Sequence, residues 1–373
     1  MKYVAGKFVQ QYQYKSFLPS LLDQDLDWQS EEVLGLLSEA NRMVGELNAY
    51  ANLVPDVDFF IEMHKVKEAT TSSKIEGAQT NIDDAVLSPR EIDPEKRHDW
   101  EEVRNYIEAL NLCIKLLGKI PLTMRLLRQG HQVLLSGARG GKKQPGAIRK
   151  SQNWIGGADI KSATFVPPHH TDLPDLLSDL EKFWHSEKPM PYLIRIAIGH
   201  YQFETVHPFL DGNGRIGRLL IILQMIDYQI LEKPVLNLSG FLEQNRAQYY
   251  DALERVRNSD SLDQWLRFFL TGVIQSSQKS KEIFIQIGNL RQTYSKKILK
   301  LGKRAALAQT LIDLLCSKPI ISPRETEKKL EVAPATANRL LKELEKIGVL
   351  KEKTGFSRNR LFELHGYLDI FRQ

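Results

Sequence analysis

The sequence predicts a mainly α-helical protein with a small β-hairpin on its helical body and a separate mixed module at the C-terminus. Three observations predict it. Apolar residues recur at i, i+3, i+4 and i+7 through most of the chain, the period of a helix with one face in a core. The stretch from Gly137 to His170 breaks that period and is rich in Gly, Pro, Lys and Ser. Past residue 303 the pattern runs helix, helix, turn, helix and then a short two-stranded ribbon.

The chain has 373 residues, enough for two or three domains, and 42% apolar content, ordinary for a globular protein. Its most apolar run, Leu219 to Ile226, is far shorter than the ~20 residues a membrane-crossing helix needs. No membrane segment is expected. The N-terminal MKYVAGKFVQQYQYK lacks the apolar stretch of a signal peptide, and Cys113 and Cys316 sit in apolar helical contexts as buried thiols, which together predict a cytoplasmic protein. The formal net charge of +5 is carried by residues 301–373, where 14 Lys/Arg face 9 Asp/Glu, and the rest of the chain is balanced. That asymmetry points to an anionic partner for the C-terminal fifth.

From 31 to 50, Val33, Leu36, Leu37, Ala40, Met43, Val44 and Leu47 mark one helix face. From 98 to 117, Trp100, Val103, Ile107, Leu110, Cys113 and Leu117 mark another. Thr171-Asp172-Leu173-Pro174 opens a third helix that buries Leu176, Leu177, Leu180 and Phe183. Ser261 and Gln264 have the spacing of a capping box before Trp265, and Pro121 and Pro191 mark joints. Extended pieces around Ile148, Trp154-Ile155 and Ala163 to Val166, split by Gly156-Gly157, predict the hairpin. The expected organisation is a helical N-terminal region (1–95), a core carrying the hairpin (96–275), a connecting helix (276–302) and the C-terminal module (303–373).

The stretch HPFLDGNGRIGR, residues 207–218, carries the chemistry. Gly212-Asn213-Gly214 leads into a strongly apolar helix, so backbone N–H groups and the helix N-terminus converge on one point, a phosphate site by its physics. Arg215 and Arg218 share one face of the first turn, and their forked donors suit phosphate oxygens. Asp211 offers an oxygen ligand for Mg²⁺ beside that loop. His207 has the chemistry of a general base near neutral pH. Histidine, acid, Gly-Asn-Gly and two arginines within twelve residues are hard to explain as a structural turn alone.

This stretch resembles the complete Fic signature, and every position of the signature is filled. The resemblance implies the Fic helical fold and transfer of AMP from ATP to a hydroxyl side chain (Tyr, Thr or Ser) of a protein, with pyrophosphate leaving. It implies His207 as the base, Asp211 as the Mg²⁺ ligand, and an ATP site made by Gly212, Asn213, Gly214, Arg215, Ile216, Gly217 and Arg218. The target is another protein or the chain itself. Upstream, Ser72-Ser73-Lys74-Ile75-Glu76-Gly77 resembles the inhibitory-helix motif of the same family. It implies that Glu76, with Ser72 nearby, pairs with Arg218 and turns ATP out of line. The hairpin at 146–168 resembles the family's target-positioning flap, with Thr164, Phe165 and Val166 as its contacts. Tyr250 and Glu254, on a helix with Tyr249, are expected near the adenine and ribose.

The C-terminal module resembles a winged helix-turn-helix. Ser322 and Pro323 open its second helix. Residues 333–346 form its third, with Leu340, Leu341 and Leu344 inward, and Lys351, Lys353, Arg358 and Arg360 lie on the ribbon. Such a module contacts DNA or protein, a homodimer included. Two alternatives stay open: transfer of another phosphorus-containing group on the same fold, or a nucleotide-sensing DNA-binding regulator.

Overall fold

The computed structural model describes residues 3–53, 57–137, 143–356 and 359–372. Arg358 of the expected ribbon lies outside them. The chain opens with β1 (Gly6–Gln10) and β2 (Lys15–Pro19), an antiparallel hairpin with Phe8 opposite Phe17. The expected helical N-terminal region therefore begins with a hairpin before its helices. The segment is bound by long-range hydrogen bonds that local periodicity does not reveal: Ala5 N donates to Asp260 Oδ1 at 2.7 Å, Phe17 N to Val166 O at 2.9 Å and Leu22 N to Asp179 Oδ2 at 2.8 Å.

The helices follow as α1 (Glu31–Leu53), α2 (Asp58–Ile75), the single turn α3 (Ile82–Ala85), α4 (Arg97–Leu117), α5 (Met124–Leu134), α6 (Leu173–Trp184), α7 (Tyr192–Val206), α8 (Asn213–Asp227), α9 (Leu238–Gln244), α10 (Arg246–Ser259) and α11 (Asp263–Ile298). Helix α7 is buried at every residue from Leu193 to Val206, and α8 at Asn213 and from Arg215 to Met225. Helices buried on all sides, mostly by apolar residues, form the centre, and the other helices wrap this pair. Helix α1 lies along α11, α4 along α5, and α2 along α4 and α9.

Helix α11 passes through the expected boundary at 275 and 276 without a break. Nor does the predicted capping box form at its start. Leu262 is the N-cap, with no side-chain cap, because the polar groups are engaged elsewhere: Asp263 accepts from Ser30 Oγ at 2.5 Å and Gln264 from Arg255 at 2.9 Å. The hairpin at 146–168 is reduced to one antiparallel bridge, between Ile155 and Phe165.

Beyond a 3-10 turn, α12 (Ala305–Ser317), β3 (Ile320–Ile321), α13 (Pro323–Leu330), α14 (Pro334–Lys346), β4 (Leu350–Glu352) and β5 (Phe362–Leu364) form the C-terminal module, and α15 (Tyr367–Arg372) closes the described chain. The strands make an antiparallel sheet in the order β3-β5-β4. Ser322 and Glu325 form a reciprocal capping box on α13. The module docks on the N-terminal region. Tyr367 packs on Phe60 and Phe371 on His64, at ring separations of 6.5 and 5.5 Å, and Lys353 pairs with Asp83 at 3.2 Å.

Candidate active site

The loop between α7 and α8 holds the predicted site. It starts at His207, in the left-handed conformation (φ 50°, ψ 62°), and ends at Gly212 (φ 76°, ψ 8°), the N-cap of α8. Gly212 tolerates that conformation at no steric cost. For His207 the cost is met by Arg149, a buried side chain that gathers the surrounding carbonyls. Its Nε donates to His207 O at 2.9 Å and its Nη2 to Pro168 O at 2.6 Å, while its backbone N–H reaches Pro208 O at 2.9 Å. Burial lowers the Arg149 pKa to about 10, still charged at neutral pH.

Asn213 braces the loop from within. Its Oδ1 accepts from Phe209 N and its Nδ2 donates to Phe209 O, both at 2.8 Å. The Asn213 side chain is therefore committed to the loop, and what it can offer a phosphate is its backbone N–H. His131, from α5, supplies a second brace. Its Nδ1 accepts from Gly146 N at 2.8 Å, so the proton lies on Nε2, which donates to Asp211 O at 2.9 Å. The ring stacks on Phe209 at 3.8 Å, and burial lowers its pKa to about 4, keeping it neutral.

His207 Nδ1 lies 3.3 Å from Glu204 O. A carbonyl can only accept, so Nδ1 carries the proton and Nε2 keeps its lone pair. Desolvation lowers the His207 pKa to about 4, with the Glu204 carbonyl opposing, so the ring is an unprotonated base at neutral pH. Asp211 Oδ1 accepts from Gly212 N at 2.6 Å and lies 3.7 Å from Arg215 Nη2. Arg215 Nη1 also pairs with Glu102 Oε2 at 3.2 Å.

Arg218 is almost fully buried. Its Nε donates to Ser72 Oγ at 2.9 Å, and its Nη2 to Ser72 O at 2.9 Å and to Glu76 Oε1 at 2.7 Å. Glu76 is the C-cap of α2, which closes through bonds from Gly77 N to Lys74 O and from Ala78 N to Ser73 O, a Schellman motif. The carboxylate lies over the first turn of α8, where any side chain at Gly214 would collide with its Oε1. Burial alone would raise the Glu76 pKa, but Arg218, with help from Arg215 and His207, holds it below the usual carboxylate range. A carboxylate of the protein itself thus lies at the N-terminal end of α8, the terminus whose dipole favours negative charge.

Residues 34–115 match the family described as Fic/DOC family N-terminal, and residues 121–225 match the Fic/DOC family itself. The chain belongs to the Fic/DOC family. A relative named Protein adenylyltransferase Fic, from Drosophila grimshawi, is 28% identical over 196 residues, covering 48% of this chain and 35% of its own length. Its counterpart from Drosophila melanogaster is 28% identical over 229 residues, covering 55% of this chain and 40% of its own length. The chain thus spans well under half the length of these relatives. Among solved structures, a Fic family protein from Desulfovibrio desulfuricans G20 has the same fold, with a TM-score of 0.59 at 18% identity over 92% of this chain and 98% of that one.

Around the Fic signature the structure sorts the remaining expectations. Tyr249 is core, its hydroxyl donating to His200 Nε2 at 2.9 Å. Tyr250 is partly open, and burial, with the charge of Glu76 after it, raises its pKa; Glu254 is exposed and contacts Asn258 at 3.5 Å. Of the three expected flap contacts only Thr164 is exposed. The Phe165 and Val166 side chains are buried, Phe165 with Arg257 over its ring at 3.8 Å, so a target could meet these two only through their backbone. The outer edge at Val166 is already used, since its carbonyl accepts from Phe17. Sequence reading missed Arg149, His131, Glu102 and Glu204. Glu204 sits under Gly217 with its Oε1 unpaired among the described residues, and burial raises its pKa to about 7.

Proposed function

We propose that this protein is a protein adenylyltransferase that moves AMP from ATP onto the hydroxyl of a Tyr, Thr or Ser side chain, and that Glu76 holds it inactive. His207 Nε2 takes the hydroxyl proton, and the oxygen attacks the α-phosphorus. A new oxygen–phosphorus bond forms as the bond to the bridging oxygen breaks, and pyrophosphate departs with the negative charge. The N–H groups at the start of α8, with Arg215 and Arg218, stabilise that charge. Asp211 fits a Mg²⁺ site, because one carboxylate oxygen is spent on Gly212 while the side chain remains 43% exposed beside the phosphate position. The ion would neutralise charge on the phosphates, and Asp211 would hold it. Ile216 and Gly217 pack the phosphate helix, and Tyr250 flanks the nucleotide.

The observation that carries the reading is Glu76 bound to Arg218 over the first turn of α8. A carboxylate there competes for a phosphate site and repels the triphosphate, so bound ATP would lie out of line. The names of the Drosophila relatives support AMP as the group moved. We also infer that residues 303–373 are a winged helix-turn-helix serving as a partner contact, supported by the capped α13, the α13–α14 turn and the β4–β5 ribbon. The test is incubation with ATP labelled at the α- or the γ-phosphate. Protein-bound label from the α-phosphate alone is expected. Label from the γ-phosphate, or none from either after Glu76 is removed, would overturn the reading.

A further inference from the structure

Phe165, at the single bridge of the flap, is gripped by two residues far from it in sequence. The first is Phe17, on β2. Its backbone N–H donates to Val166 O at 2.9 Å, and its ring centre lies 6.3 Å from that of Phe165. The second is Arg257, on α10, whose guanidinium carbon stands 3.8 Å from the centre of the Phe165 ring. That guanidinium has no hydrogen bond or ion pair among the described residues, so the ring is what it rests on. A cation over an aromatic face is held more firmly when half-buried, as Arg257 is, than at an open surface.

Both grips are anchored. Asp260, the C-cap of α10, accepts from Ala5 N at 2.7 Å and ties the start of the hairpin to the helix that carries Arg257. Gln202, on α7, donates to Ser20 O at 3.0 Å and ties its end. Hairpin, α10 and the Phe165 strand thus make one closed frame. From Phe165 the frame reaches the Fic loop. Ile155 N donates to Phe165 O at 2.8 Å and Phe165 N to Ile155 O at 3.1 Å. Just before Ile155, Asn153 Nδ2 donates to Phe209 O at 2.9 Å, and Phe209 follows His207 in the same loop. A shift of Phe165 is therefore passed towards the base through one bridge and one hydrogen bond.

We propose that Phe17 and Arg257 are positioning residues for AMP transfer: by gripping Phe165 they set where the flap stands against the Fic loop, and so where an incoming hydroxyl meets His207. Both act through Phe165. The catalytic consequence rests on the adenylyltransferase reading, whereas the seating of the flap does not.

The test compares Arg257→Met, Arg257→Lys and Phe17→Leu, each in the full chain carrying Glu76→Gly. Three quantities are measured: hydrogen exchange in peptides spanning 153–166, exchange in α1 as the folding control, and AMP incorporation from α-labelled ATP in a cell lysate across ATP concentrations. Arg257→Met should speed flap exchange on the order of tenfold and lower the maximal transfer rate by a similar factor, the loss expected for one partly buried cation–ring contact. The KM for ATP should stay within about twofold, because binding is untouched. Arg257→Lys keeps a cation over the ring and should recover part of both losses. Phe17→Leu should lose in the same direction, and since Phe17 carries no charge, that agreement separates flap seating from the direct effect of the Arg257 charge on His207. Flap exchange equal to the parent, faster flap exchange with undiminished transfer, a rise in the KM for ATP that accounts for the loss, or equal loosening of α1 would each overturn the proposal. No AMP incorporation by Glu76→Gly itself would sink the adenylyltransferase reading and the catalytic role with it, while flap exchange would still decide the seating.

Discussion

One buried cation, Arg149, holds the carbonyls that keep His207 in its left-handed turn, and one carbonyl, that of Glu204, sets its tautomer. Replacing His207 by Ala should abolish AMP transfer while leaving ATP affinity within a few-fold, since other groups hold the phosphates. Calorimetric ATP titration beside an incorporation assay checks both halves, and undiminished transfer would remove His207 from the base role. Glu204 gives a pH-dependent prediction. Its folded pKa of about 7 is raised by burial. Between the usual carboxylate pKa and 7 the folded state therefore holds a proton that the unfolded state has lost. Its contribution to stability is intact at low pH and declines as pH rises through that window. Glu204→Gln should melt within a degree or so of the parent near pH 5 and several degrees higher near pH 8, as roughly 2–4 °C per kcal/mol implies. A melting difference independent of pH would contradict the burial argument. The residues proposed to react were legible in the sequence because one stretch, 207–218, carries them. Their supports were not: Arg149 lies 58 residues from His207 and His131 lies 80 from Asp211, so no local spacing announces them.

At the scale of elements, the C-terminal end of α2 meets the N-terminal end of α8. A carboxylate at a helix C-cap is repelled by its own helix, and for Glu76 that repulsion is offset by the Arg218 guanidinium and by the N-terminal end of α8. Ser72, one turn earlier, fixes the Arg218 fork from the other side. Ser72→Ala removes one of the three bonds from Arg218, so transfer should rise only about threefold, the kinetic equivalent of one ordinary hydrogen bond. A rise as large as that from removing Glu76 would mean that Ser72, not the carboxylate, is the effective brake. Helix existence followed well from periodicity, because α1, α4 and α6 each bury one clean face. The N-terminal hairpin did not, since hydrogen bonds to Asp260, Asp179 and Val166 fix it from far along the chain. The cap of α11 failed for the related reason that Gln264 found a partner on α10 and Asp263 one just before α1.

Across the whole molecule, the C-terminal module is built into the body. Tyr367 and Phe371 cover Phe60 and His64 on α2, and the Tyr294 hydroxyl on α11 donates to His365 O. A chain lacking residues 303–373 uncovers these surfaces. Its melting temperature should fall by roughly 5 °C or more and α2 amides should exchange faster, both measurable by calorimetry and hydrogen exchange. An unchanged melting temperature would mean that the module is merely appended. The central claim is that this molecule is an adenylyltransferase held off by its own carboxylate, and a time course of AMP incorporation from α-labelled ATP tests it most directly. Parent, Glu76→Gly, Arg218→Ala and the double variant are compared at equal concentration. Glu76→Gly should be faster than the parent on the order of tenfold or more, about 1.4 kcal/mol per decade. Arg218→Ala and the double variant should be equally poor, because Arg218 is both partner of the brake and ligand of the phosphate. Glu76→Gly no faster than the parent would contradict the claim and leave Glu76 as an acid that merely caps its helix.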